Sequence, residues 1–512
     1  MSRAAFRLGE DRLTTAALVA LASAPDPKVE VSAAARARLL GYRKRVDDIL
    51  GDDKRVYGIN TGFGFLADVQ IDKSKLRELQ VNLVRSHACG VGDPVPDEVV
   101  RGMLLLRAHT FLLGRSGVRG ETLDLVLSFL RHDVLPIVPC QGSVGASGDL
   151  APLAHLALGL MGEGDVRHRG ETATAGTVLK ALGLEALEPA AKEGLSLING
   201  TQFMSVIAAF AVEEARAVAR AADVATSLSL DAVRGTLAAF DVGVHEARPQ
   251  VGQGVVAKNV RALFAGKDAV MESHKDCGRV QDPYSFRCAP QVHGASRDAI
   301  AYAADVVEID LNSVTDNPLV LDDGRIVSGG NFHGQPVALA MDFLAIAAAE
   351  IGSISERRTE KITNPALSGL PAFAVKDSGL NSGFMIPHVV AASLVSENKV
   401  LCHPASVDSI PTSADKEDHV SMGPIAARKA RDVVRNVRRV LAVELLAACQ
   451  GLDLLAPLTP APALAAAYKE IRTRSPAMFV DRSLHKDIEL VATWIAADGP
   501  AKAAKTAGVT LE

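Results

Sequence analysis

Apolar side chains recur along much of this chain at the three-to-four-residue spacing that lines one face of a helix. Ile300, Ala303, Val307, Leu311 and Val314 follow that spacing and predict a helix through the stretch. Between Pro424 and Gly451 neither proline nor glycine interrupts the chain, which predicts one long helix. Residues 204–225 are rich in alanine, and small side chains let such rods pack closely in a bundle. Strands are expected only as short hairpins such as 319–327, where Asp323-Gly324 suits a tight turn. The pattern predicts a mainly α protein built on a core of long helices.

One segment is apolar all round. Residues 336–354 approach a membrane span, but Asp342 and Glu350 interrupt them and Ser355-Glu-Arg-Arg358 closes them. A buried helix is expected instead. Covering so long an apolar rod within one protomer is difficult, so the pattern points to an oligomer.

At 512 residues and 48% hydrophobic composition the chain exceeds what one compact unit usually organises, and two regions are expected. Lys and Arg number 55 against 60 for Asp and Glu. The net charge of −5 gives no footprint for nucleic acid or an anionic membrane, and the expected partner is a small molecule. Met1-Ser-Arg-Ala-Ala-Phe-Arg7 has no apolar core with a cleavage site, so a cytoplasmic protein is expected. The six cysteines are scattered, which favours reduced thiols. His274, Cys277, Cys288 and His293 fit no standard zinc spacing, and no metal site is expected.

The chemistry centres on Gly142-Ser-Val-Gly-Ala-Ser-Gly-Asp-Leu-Ala151. Gly148 has no side chain to keep its amide nitrogen from the Ala146 carbonyl, and small Ala146 leaves room for ring closure. Loss of one water closes a five-membered ring. Loss of a second, from Ser147, leaves an exocyclic methylene, an electrophile that no unmodified side chain supplies. Alone, the same residues also describe an ordinary helix start.

The segment from Gly142 to His155 resembles the signature of the histidine and aromatic amino acid ammonia-lyases. Tyr57-Gly-Ile-Asn-Thr-Gly-Phe-Gly64, Asn199-Gly-Thr-Gln202, Gln281-Asp-Pro-Tyr-Ser-Phe-Arg-Cys288, Asp316-Asn-Pro318 and Gly329-Gly-Asn-Phe-His333 match in the same order. The resemblance spans roughly Tyr57 to Leu455. It implies a long-helix bundle of the ammonia-lyase and fumarase-like type, with an N-terminal region (1–118) carrying the Tyr57 lid loop and an elongated helical region (119–512). It also implies a homotetramer with shared active sites.

Its cofactor is 4-methylidene-imidazol-5-one (MIO), formed autocatalytically from Ala146, Ser147 and Gly148 with no external cofactor. By the same resemblance Tyr57 is the base that takes a Cβ proton. A phenol with a pKa of about 10 needs nearby positive potential for that task, which the helix start near Asp149 can provide. Arg287 suits the substrate carboxylate, because a guanidinium binds both oxygens in one plane. The resemblance places Tyr284 and Asn199 beside the amine and the modified ring, Gln281 in support, and Phe332 as a pocket wall.

Two positions bear on the substrate. Ser86-His87 looks like the histidine-selective version of the pocket, and Glu417 stands where the aromatic lyases and aminomutases tend to have Gln. A carboxylate accepts an imidazole N–H, whereas against a phenyl ring it is left unpaired. Lys416 could pair with Glu417 and weaken that contact. The expected reaction is deamination of L-histidine to trans-urocanate and ammonia, the first step of histidine degradation. The alternatives are a tyrosine or phenylalanine ammonia-lyase or 2,3-aminomutase, and a non-catalytic helical scaffold.

Overall fold

The computed structural model describes residues 5–50, 61, 71–278 and 280–512. Tyr57 lies outside the described residues. The elements that position the site are, in chain order, helix α1 (Leu76–His87), strand β1 (Val91–Pro94), α2 (Asp97–Leu113), β2 (Pro139–Gln141), α3 (Leu150–Leu160), α4 (Gln202–Ala232), α5 (Tyr284–Arg287), α6 (Ala289–Leu311), β3 (Leu319–Val320), β4 (Ile326–Val327), α7 (Gln335–Thr363) and α8 (Gly423–Leu454). Helices dominate. α8 has 32 residues, about 48 Å at 1.5 Å per residue.

The alanine-rich stretch and the uninterrupted stretch lie inside α4 and α8. α6 buries Ile300, Ala303, Val307 and Leu311. It stops short of Val314 because Asn312 turns its amide to the chain: Nδ2 donates to Glu308 O at 2.7 Å and to Leu13 O at 2.8 Å. The hairpin forms with Leu319 opposite Val327, and Gly324 supplies the left-handed φ of +85° at its turn. β1 and β2 pair antiparallel and bring the end of α1 beside the segment that enters the 142–149 loop.

The chain divides into two compact units, each assembled from three stretches. The first holds Met1–Phe210, Ala304–Asp342 and Pro404–Arg428; the second holds Ala211–Ala303, Phe343–His403 and Lys429–Glu512. α7 is long and apolar enough to cross a membrane, yet most of its apolar window is buried. Within the first unit Asp342 Oδ2 accepts the Ser406 amide at 2.8 Å. Within the second unit Phe343 and Ile346 stay 46% and 44% exposed, and Tyr302 lies beside Phe343 with ring centroids 6.0 Å apart. All six cysteines are free.

Asp231, buried in the second unit, has a partner on neither carboxyl oxygen among the described residues. Burial, reinforced by Asp268, pushes its pKa up to about 8. A carboxyl raised in the folded state contributes stability below its ordinary value near 3.8 and loses it as pH rises through about 8. Asp231→Asn is therefore expected to raise the melting temperature at pH 8 and leave it nearly unchanged at pH 4. Equal gains at both pH values in a thermal melt would contradict the ionisation argument.

Candidate active site

The 142–149 loop is gripped by three other segments of the first unit. Gly148 has φ +75° and forms a parallel bridge with Gly200. A Cβ at Gly148 would lie 2.1 Å from the Gly200 carbonyl oxygen, so only glycine fits. The Asp149 amide donates to that same carbonyl at 2.7 Å. On the other side Val144 O accepts Met422 N at 2.8 Å, and Gly145 O accepts Ser421 Oγ at 2.9 Å and Gly334 N at 3.3 Å. Ala146 is buried with Val420 and Met422. The tripeptide is thus pinned at both ends while Ser147 stays partly open.

Two helix N-termini meet here. α3 begins at Leu150, directly after Asp149, and the Asp149 carboxylate accepts the Met204 amide in the first turn of α4 at 2.9 Å. Both dipoles favour negative charge near Gly148. Burial pushes the Asp149 pKa up to about 8, and its bonds to the α4 amides oppose that shift.

Ser147 Oγ donates to Glu417 Oε1 at 2.9 Å, and Thr412 Oγ1 donates to Glu417 Oε2 at 2.7 Å. The backbone fixes the same pair: Thr412 N to Glu417 O is 3.0 Å and Glu417 N to Thr412 O is 3.3 Å. Between them Ser413, Ala414 and Asp415 all take left-handed φ values, 52°, 51° and 63°. A run of three non-glycine residues there costs conformational energy, which the Thr412–Glu417 bridge offsets. Lys416 stands exposed on the turn, and the carboxylate takes its protons from the two hydroxyls instead.

Asn199 is buried beside Gly200, and its Oδ1 has no partner among the described residues. Its carbonyl accepts Arg107 Nη2 at 2.9 Å, while Arg107 Nη1 holds Gln202 Oε1 at 2.7 Å. Burial drops the Arg107 pKa to about 10. Arg107, an arginine in the apolar run of α2, supports Asn199-Gly-Thr-Gln202 and was missed from sequence. Thr412, which holds the Glu417 carboxylate, was missed as well. His87 ends α1, with Nδ1 facing Leu83 O at 2.8 Å and Ser86 Oγ at 3.0 Å. Phe332 is half-buried in the turn whose Gly334 amide reaches Gly145.

Gln281, Tyr284 and Arg287 belong to the second unit. Tyr284 is 70% exposed, and the Arg287 guanidinium stacks on its ring, 4.4 Å from the centroid. Arg287 Nε is buried without a hydrogen-bond partner, and no carboxylate among the described residues pairs with the guanidinium. His274 and His293 are engaged elsewhere: His274 contacts the Val270 and Gly235 carbonyls, and His293 faces Asp223 and Arg358. Among the described residues no three His, Cys, Asp or Glu side chains are grouped to hold a metal ion.

A pinned Ala-Ser-Gly turn at converging helix ends, with a carboxylate on its serine, is the arrangement that the resemblance to the ammonia-lyases implies. The family model described as aromatic amino acid lyase matches residues 13–473. A histidine ammonia-lyase of Sorangium cellulosum is 54% identical over 91% of this chain and 93% of its own length. The crystal structure of histidine ammonia-lyase from Trypanosoma cruzi superposes with a TM-score of 0.91 at 47% identity, covering 98% of this chain and 95% of that one. Tyrosine aminomutase from Streptomyces globisporus gives a TM-score of 0.93 at 38% identity, covering 99% and 100%. The chain belongs to the aromatic amino acid lyase family and is a carbon–nitrogen lyase.

Proposed function

We propose that this chain converts L-histidine to trans-urocanate and ammonia. The observation that carries the assignment is the Glu417 carboxylate 2.9 Å from Ser147 Oγ. It sets an acceptor for an imidazole N–H beside the tripeptide, where a phenyl or phenol ring would leave the charge unpaired. The elimination breaks the Cα–N bond and a Cβ–H bond and forms the alkene between those carbons.

The residues at 146–148 fit a methylidene-imidazolone. Ala146 is small and buried, Gly148 sits where no side chain fits, and Ser147 has an acceptor on its hydroxyl. When formed, the group supplies an electrophilic alkene that makes ammonia a better leaving group. Tyr57 takes the Cβ proton. Arg287, which no acidic side chain pairs with among the described residues, holds the substrate carboxylate, with Tyr284 stacked on it and Gln281 nearby in sequence. Asn199 offers its open Oδ1 to the amine, His87 and Glu417 address the imidazole, and Phe332 walls the ring. The enzyme works in the cytoplasm as a homotetramer, each site combining Ser147 and Tyr57 of one protomer with Arg287 of a neighbour. The exposed Tyr302, Phe343 and Ile346 support such an assembly.

Incubation with histidine, tyrosine and phenylalanine in turn, followed by ultraviolet absorbance of the unsaturated acid, tests the substrate. Histidine is the expected substrate. Glu417→Gln is expected to lower its turnover by roughly one to two decades, the loss of about 1.5–3 kcal/mol from one charged hydrogen bond. Unchanged histidine kinetics in that variant would transfer the assignment to an aromatic substrate.

A further inference from the structure

The groups assigned to the substrate carboxylate and amine stand on α5, a helix of four residues. Its own bonds are few: Phe286 N and Arg287 N reach Pro283 O at 3.0 and 3.1 Å, and Cys288 N reaches Tyr284 O at 2.9 Å. So short an element cannot fix its orientation alone. In the same unit lies Arg358 of α7, fully buried. Its Nε and Nη2 bind the two Glu444 oxygens at 2.6 and 2.9 Å, and Ser229 and Ser355 hydroxyls complete that carboxylate. Its third arm, Nη1, donates to the Ser285 carbonyl of α5 at 3.3 Å and faces His293 Nε2 at 3.4 Å.

Burial holds the His293 pKa below its ordinary value, which keeps the ring neutral. Its Nδ1 faces Asp223 Oδ1 at 3.4 Å, so the proton sits on Nδ1 and the Nε2 lone pair turns to Arg358. Asp223 is held in turn by Arg297 Nη2 at 2.6 Å and Asn259 Nδ2 at 2.8 Å. Two cations and two anions balance around a neutral imidazole. Paired charges in such a buried network hold one another in place, and removing one member is costly.

We propose that Arg358 is a positioning residue: its Nη1 arm, held by Glu444 and His293, fixes α5 through the Ser285 carbonyl and so aims Arg287 and Tyr284. The inference rests on the assignment of Arg287 to the substrate carboxylate. Arg358→Lys keeps the charge opposite Glu444 but lacks the fork needed to reach Ser285 as well.

The experiment compares kcat/KM for L-histidine with inhibition by histamine, which lacks the carboxylate, in wild type, Arg358→Lys and Arg287→Lys oligomers. Arg358→Lys is expected to lower kcat/KM for histidine about tenfold and leave histamine inhibition within about twofold. A purely structural role moves both. If Arg287→Lys shows the selective loss and Arg358→Lys does not, the positioning role is wrong. If Arg287→Lys itself shows none, the carboxylate assignment fails instead. Should Arg358→Lys yield no folded oligomer, His293→Asn leaves the Glu444 pair in place. The same selective loss is then expected at smaller size, and its absence overturns the proposal.

Discussion

Ser147→Ala protein is expected to fold and assemble like the parent and to lose at least about a thousandfold of its turnover on histidine, roughly 4 kcal/mol of transition-state stabilisation. The substitution removes only the hydroxyl that bonds Glu417 and that must leave as water. Mass spectrometry gives the second half of the result. The parent chain is expected to weigh two waters less than its translated sequence, one from ring closure and one from Ser147. A parent of full translated mass that still turns over histidine would remove the proposed cofactor. Residual turnover near the parental rate in Ser147→Ala would remove the residue.

Co-expression of Ser147→Ala with Arg287→Ala is expected to restore activity that neither chain has alone. If each site takes the tripeptide from one protomer and the guanidinium from another, random mixing leaves about a quarter of sites with both groups intact. Two affinity tags isolate the mixed oligomers. Mixed oligomers as inactive as either parent variant would place both groups in one chain.

Much of the helical frame was legible because helical periodicity and the absence of breakers are local signals. The 204–225 and 424–451 stretches each lie inside one helix. Val314 was not, since the end of α6 is set by Asn312 reaching back to Leu13, a contact 299 positions away in sequence. The tripeptide and Glu417 were legible as a motif and as a charge, but their contact was not. It depends on a left-handed run at Ser413, Ala414 and Asp415, residues that rarely adopt that conformation and give no local cue for it. Arg107 and Thr412 were silent for a related reason: each acts on the site through one hydrogen bond whose partner lies far along the chain or inside an irregular turn. The open Oδ1 of Asn199 is likewise a property of its surroundings and not of its type.

The Gly148–Gly200 contact limits what mutational tolerance can reveal. Any Cβ at Gly148 lies 2.1 Å from the Gly200 carbonyl oxygen, so every substitution there fails for lack of space before ring chemistry is tested. Gly200 is constrained differently: a Cβ would meet the end of the Gln202 side chain at 2.4 Å, and its φ of +140° disfavours any side chain. A library randomised at either glycine would report space and backbone conformation before chemistry. Position 146 is different, because Ala146 shares a small apolar cluster with Val420 and Met422, and a methionine side chain can yield to a larger group. Variants at 146 with both glycines kept are where the demands of ring closure can be separated from those of packing, and where a family of altered electrophiles has room to arise.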